Sequence, residues 1–97
     1  MKGKIANGFK FDIDEAKLDD WDLFKAMADM DSQNYSRILS GTVKFSEIIL
    51  GEQEKDLVAH IRKQNNGKCS TDDMTKCIME IIEQCKELKN LESSQEQ

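Results

Sequence analysis

Five aspartates and the chain's only tryptophan fall within fourteen residues, LDDWDLFKAMADMD, at positions 18–31. Three roles fit such a stretch: a carboxylate cation site, a docking surface anchored by Trp21, or the charged start of a helix. A calcium loop alternates oxygen ligands around a central glycine. Neither DIDEAKLDDWDL nor DMDSQNYSRILS has that glycine; the first follows its acids with apolar residues, and the second has no acid at its twelfth position. Helix initiation accounts for the acids better, because negative charge in a first turn is worth roughly 0.3–1 kcal/mol per residue. Trp21 lies one turn before Phe24 and Lys25. The preferred reading has it lock the N-terminal segment onto the helices, and the alternative makes it an anchor facing a partner.

Cys69, Cys77 and Cys85 raise the question of zinc. On one helix Cys77 and Cys85 stand roughly 12 Å apart along the axis, whereas two thiolates of one zinc site lie within roughly 4 Å. They can share neither a metal nor a disulfide within a straight helix. Small buried hydrophobes is the simpler reading, with Cys69 the one thiol in a position to be exposed. An odd cysteine count without an export signal indicates reduced thiols. For catalysis, His60 is the sole histidine, and nothing local sets it beside a nucleophile such as Cys69. Gly-rich phosphate loops are absent. With Arg62, Lys63 and Lys68, His60 reads as the basic end of a helix. The expectation is a protein without catalytic residues, metal or cofactor.

Composition narrows the classes further. A length of 97 residues suits one domain with one modest core. A formal charge of −5 argues against nucleic-acid binding. The two halves are alike, with 7 basic and 9 acidic side chains in residues 1–50 and 7 and 10 in 51–97. No apolar run is long enough to span a bilayer, and MKGKIANGFKFDID lacks the apolar region of a signal peptide. A cytoplasmic address is therefore expected, in which the sequon Asn34-Tyr35-Ser36 has no use.

The elements that must position these residues are legible from period and punctuation. Phe9, Phe11 and Ile13 alternate with Lys10 and Asp12, the pattern of a half-buried strand, and Asn7-Gly8 marks a turn. A two-residue loop would set Ile5 opposite Lys10. A three-residue loop at 6–8, with Gly8 left-handed, sets Ile5 opposite Phe9 and keeps one apolar face, so a hairpin over 4–13 in that register is expected. Asp19 or Asp20 caps a first helix running to about Met30, with Leu23, Phe24, Met27 and Ala28 at helical spacing. A shorter segment starts near 32–34 and carries Tyr35, Ile38 and Leu39, with Gly41 ending or bending it. A further helical piece covers 43–50, closed by Gly51 as a left-handed cap.

The stretch EQEKDLVAHIRKQNNG opens with acids and closes with Arg62 and Lys63, the polarity the helix dipole favours, and Asn66-Gly67 reads as its C-cap. Ser70 and Asp73 resemble a capping box. From there Met74, Cys77, Ile78, Ile81, Ile82, Cys85 and Leu88 form one apolar stripe. The fold expected is mainly α: a small single-domain bundle of four to five helices over 1–90 with a short N-terminal β-hairpin, and a disordered tail at 91–97.

The order of these pieces, IANGFKFDID, LDDWDLFKAMADMD, SEIILGEQEKDLVAHI and NNGKCSTDDMTKCIMEIIEQCKEL, resembles the small tail assembly chaperones of long-tailed bacteriophages. The motifs carrying the likeness are Asn7-Gly8, Asp20-Trp21, Ile49-Leu50-Gly51, Gly67 and Glu80-Ile81-Ile82. They span residues 4–88, with the more polar stretch 32–45 departing from the pattern. The resemblance implies a non-enzymatic protein that coats the tape measure protein, a long and largely helical chain, until tail tube subunits polymerise around it. Exposed apolar stripes on such a chain would aggregate unless covered.

The implied partners are the tape measure protein and the major tail tube protein. The implied location is the host bacterial cytoplasm, with absence from the mature virion. Trp21, Met27 and Met30 are the candidate contacts, together with surplus apolar positions on the last helix, and ordinary core packing is the alternative for each. Homo-oligomers through an exposed hairpin edge are a further expectation. The rival reading, from a different class, is an acidic helical regulator or adaptor docking on a host or phage protein, including mimicry of DNA. Mimicry calls for aspartates spaced along one surface, whereas these cluster at helix starts.

Overall fold

Residues whose side chains alternate in sequence alternate across a strand. In the computed structural model of this chain the apolar set Ile5, Phe9, Phe11 and Ile13 is buried, while Lys4, Lys10 and Asp12 face out. The structure describes residues 1–96, and for residues 87–96 the backbone alone. Strand β1 (Lys2–Lys4) pairs antiparallel with β2 (Lys10–Asp12), Gly3 opposite Phe11. Ile5 N–H donates to Phe9 O (3.0 Å) and Gly8 N–H to Ile5 O (2.9 Å). The loop is thus the three-residue one, with Gly8 at φ 91°. Pairing also reaches further back than the expected 4–13: Met1 and Ile13 exchange both backbone bonds at 2.7 Å.

Asp14 then caps a 3₁₀ turn, Glu15–Asp19, that sequence reading missed. Four α-helices follow among the described residues: α1 (Trp21–Met30), α2 (Tyr35–Leu50), α3 (Gln53–Gln64) and α4 (Thr71–Glu96). Asp20 is the cap of α1, its Oδ2 accepting from Leu23 N–H at 3.0 Å. Asn34 caps α2 in the same way. The capping box at α4 is reciprocal: Asp73 N–H donates to Ser70 Oγ and Ser70 N–H to Asp73 Oδ2. Helix α3 ends with Asn66 at φ 55° and Gly67 N–H donating to Arg62 O at 2.7 Å, a Schellman arrangement that satisfies a free carbonyl.

Two expectations are corrected. Gly41 does not end a helix: α2 runs through it without interruption, joining the segments read separately at 32–39 and 43–50. Glycine is there because α1 crosses at that point. A Cβ on Gly41 would stand 2.6 Å from Ala26 O and 2.9 Å from Met30 N. Gly51 does cap α2 with a positive φ, but its ψ of −122° puts it in the conformation of a type II′ turn rather than the left-handed helical one.

The core is one cluster. The hairpin's four apolar residues meet Leu23 and Ala26 of α1, Phe45, Ile49 and Leu50 of α2, Leu57 and Ile61 of α3, and the α4 stripe from Cys77 to Cys85. Leu88 of that stripe, and the tail at 91–97, lie outside the residues whose side chains are described. Buried polar groups are served: Ser46 Oγ donates across to Glu54 of α3 at 2.6 Å, and Thr42 Oγ1 to Ile38 O. The architecture is therefore mainly α with a short N-terminal hairpin, as the periodicities imply.

Candidate docking surface

On α1 the buried side chains are Leu23 and Ala26, with Met27 and Met30 packed partly against the core. Trp21 lies about 200° around the helix from Leu23, at about 100° per residue. It therefore faces away from the core and is 70% exposed. The expectation that it locks the hairpin onto the helices is corrected by that geometry. Phe24 shares its face and is 61% exposed, and the two rings stack at 5.8 Å with 10° between their planes. An aromatic pair held against solvent is unusual for a core-forming helix and is the ordinary composition of an interface anchor.

Beside this pair runs a groove of about 380 Å³ between α1 and α4. Phe24, Met27 and Met30 form one wall, and Met79 and Ile82 the other. Met79 is 44% exposed, Ile82 is buried beneath it, and Asp31 and Lys86 mark the rim. Of the sequence candidates, Met27 and Met30 line the groove directly, and Trp21 extends it through its stack on Phe24. Sequence reading counted Phe24 among the helical spacing residues and passed over Met79, which follows the stripe residues Cys77 and Ile78 on the outward side of α4. Their exposure depends on which helix lies where.

Three of the five aspartates in 18–31 have structural employment. Asp20 caps α1, and Asp22 sits 3.5 Å from Lys25. Asp29 takes a 2.9 Å bond from Arg37 of α2. No cluster of three or more acidic, cysteine or histidine side chains converges on a metal position among the described residues.

His60 is occupied too. Its Nε2 lies 2.8 Å from Asn7 O, a carbonyl that can only accept, and Gln64 Nε2 donates to the same oxygen at 2.9 Å. The histidine thereby fastens the hairpin turn to α3, with its ring 5.8 Å from that of Phe9. At the hairpin's outer edge, Gln53 takes the Asp12 N–H and donates to the Asp12 carbonyl, at 2.8 and 2.7 Å. Gln84 donates to Lys4 O on the other strand. The backbone at those points is used within the chain and is not open for strand addition.

All three thiols are free, with Cys77 and Cys85 buried and Cys69 half-buried. Burial pushes each of them above its ordinary value. Glu80 and Asp73 add to that at Cys77, while Arg62 opposes it at Cys69 and the N-terminal ammonium at Cys85. A thiol raised in the native state binds its proton more tightly there than in the unfolded chain. Its contribution to stability is complete below the ordinary value of 9.0 and is lost as pH rises beyond it. Urea midpoints are accordingly expected to hold level from pH 7 to 8 and to fall above pH 9. At neutral pH iodoacetamide should label Cys69 first, and Cys77 and Cys85 only on unfolding. Rapid native labelling of all three would contradict the packing of α4.

A second expectation separates surface from core. Trp21→Ala should change stability by no more than about 0.5 kcal/mol, as an exposed substitution does. A clear loss in thermal melting would return Trp21 to the packing role.

No protein-family model, no curated protein and no solved structure matches this chain.

Proposed function

We propose that this chain is a tail assembly chaperone of a long-tailed bacteriophage, which binds and solubilises the tape measure protein before the tail tube polymerises. The observation that carries the reading is the Trp21–Phe24 stack, left in solvent beside a groove lined by Met27, Met30 and Met79. Unbranched methionines adapt to varied apolar partners, which a long chain with many non-identical stripes requires. The mainly helical fold with its short N-terminal hairpin agrees with the motif order that suggested the family. The action is binding without catalysis, in the host cytoplasm, and the chaperone leaves before the virion is complete.

Co-expression with the tape measure protein of the same phage tests this directly. The expected result is a soluble tape measure that co-purifies with the chain. A tape measure that stays insoluble and unbound removes the reading. The alternative, an acidic helical regulator or adaptor docking on a host or phage protein, then takes its place, favoured by the density of aspartates around α1.

A further inference from the structure

The chain's net charge of −5 is carried entirely by one segment. Residues 14–31, the 3₁₀ turn and α1, hold seven acidic and two basic side chains, while the rest of the chain balances twelve against twelve. A comparison of halves hides this, because basic residues on either side of the segment dilute it. The same segment supplies the exposed aromatic pair and one wall of the α1–α4 groove. Along α1 the acids gather at the two ends, Asp19, Asp20 and Asp22 at the start and Asp29 and Asp31 at the finish. Asp20 and Asp31, the caps at its two ends, stand roughly 16 Å apart along the axis at 1.5 Å per residue.

We infer that this groove is a docking site for a cationic amphipathic α-helix of another protein, its apolar stripe seated on Phe24, Met27, Met30, Met79 and Ile82 and its Lys or Arg residues facing the acid-flanked α1 wall. An apolar stripe with i, i+3/i+4, i+7 anchors matches a groove between two helices. The acidic ends of α1 attract and orient basic residues about three turns apart. Lys86 on the opposite rim keeps the α4 side from attracting them equally. A second copy of this chain is the wrong occupant, because it would bring two segments of charge −5 together. The inference deepens the chaperone reading and rests on it for the natural partner's identity, while the surface itself is tested separately.

The full chain is titrated with three synthetic peptides about 18 residues long, enough for helicity on binding. One is a Leu/Lys helix with all leucines on one face, one is its Leu/Glu counterpart, and one is a Leu/Lys scramble of the same composition without an apolar face. Trp21, the only tryptophan, reports through its emission. The expected result is a blue shift and micromolar affinity for the Leu/Lys helix, weakened by added salt, with the other two peptides at least about tenfold weaker. Met79→Ser, at an exposed rim position, should weaken binding about tenfold. Val43→Ser, also exposed but outside the groove, should leave it unchanged.

Equal binding of the scramble reduces the surface to charge alone, and equal binding of the Leu/Glu helix reduces it to apolar contact alone. Either result overturns the inference, as does the absence of binding or equal weakening by the two variants. A soluble tape measure on co-expression without peptide binding removes this site but keeps the chaperone reading. Peptide binding beside an insoluble tape measure keeps the site and removes that reading.

Discussion

Replacing Phe45 by alanine is expected to cost about 3–5 kcal/mol, the range for deleting a fully buried aromatic ring. Phe45 is 1% exposed, the largest of the side chains sealed in the core, and it sits on α2 beside Ser46, Ile49 and Leu50 on the buried face. Domains of this kind are stable by only about 5–15 kcal/mol, so the loss is a large share of the total. Urea denaturation followed by circular dichroism measures it, and Phe45→Leu should retain most of the stability because volume is nearly kept. A loss below about 1 kcal/mol for the alanine variant would mean that α2 does not present this face to the core.

Gly41→Ala carries the second large effect, and its sign is diagnostic. In an exposed helix interior the change would stabilise by about 1 kcal/mol, since glycine is the poorer helix former. Here the added Cβ would meet Ala26 O at 2.6 Å, Asp29 Cβ at 2.8 Å and Met30 N at 2.9 Å. Two of those are backbone atoms of α1 and cannot swing aside as a side chain does. Separating two packed helices costs about 2–3 kcal/mol net, or on the order of 10–20 °C in Tm for a domain of this size. Because α1 also forms a wall of the candidate groove, the same variant should weaken capture of the Leu/Lys helix. A gain in Tm would show that α1 and α2 do not make this crossing.

The two variants divide the fold along a useful line. Phe45 lies in the general core, so its loss lowers stability without redirecting any helix. Gly41 sets the approach of α1 to α2, on which both the Asp29–Arg37 bond and the position of Trp21 and Phe24 depend. Trp21→Ala, by contrast, touches neither. Measured together, the three separate what holds the protein up from what it offers to a partner.

Local chemistry was readable from the chain alone. The hairpin register follows from alternating apolar residues and Asn7-Gly8, because each step of a strand reverses the face and only one loop length keeps Ile5 opposite Phe9. The α1 cap, which the sequence narrows to Asp19 or Asp20 and the structure places at Asp20, the Ser70–Asp73 capping box, the end of α3 and the stripe from Cys77 to Cys85 likewise rest on bonds and periods within about one turn of helix.

Tertiary structure decided the rest. Gly41 reads as a break until α1 is laid across it. Trp21 reads as a clamp until the buried face of α1 turns out to be that of Leu23 and Ala26. His60 and Gln64 hold Asn7 across more than fifty positions, and Gln53 holds Asp12 across forty-one, distances at which sequence spacing carries no signal. The acidic segment and the Met79–Ile82 wall come together for the same reason. Which faces meet is set by packing the whole apolar set at once, and the surface left over from that packing is the one a partner can use.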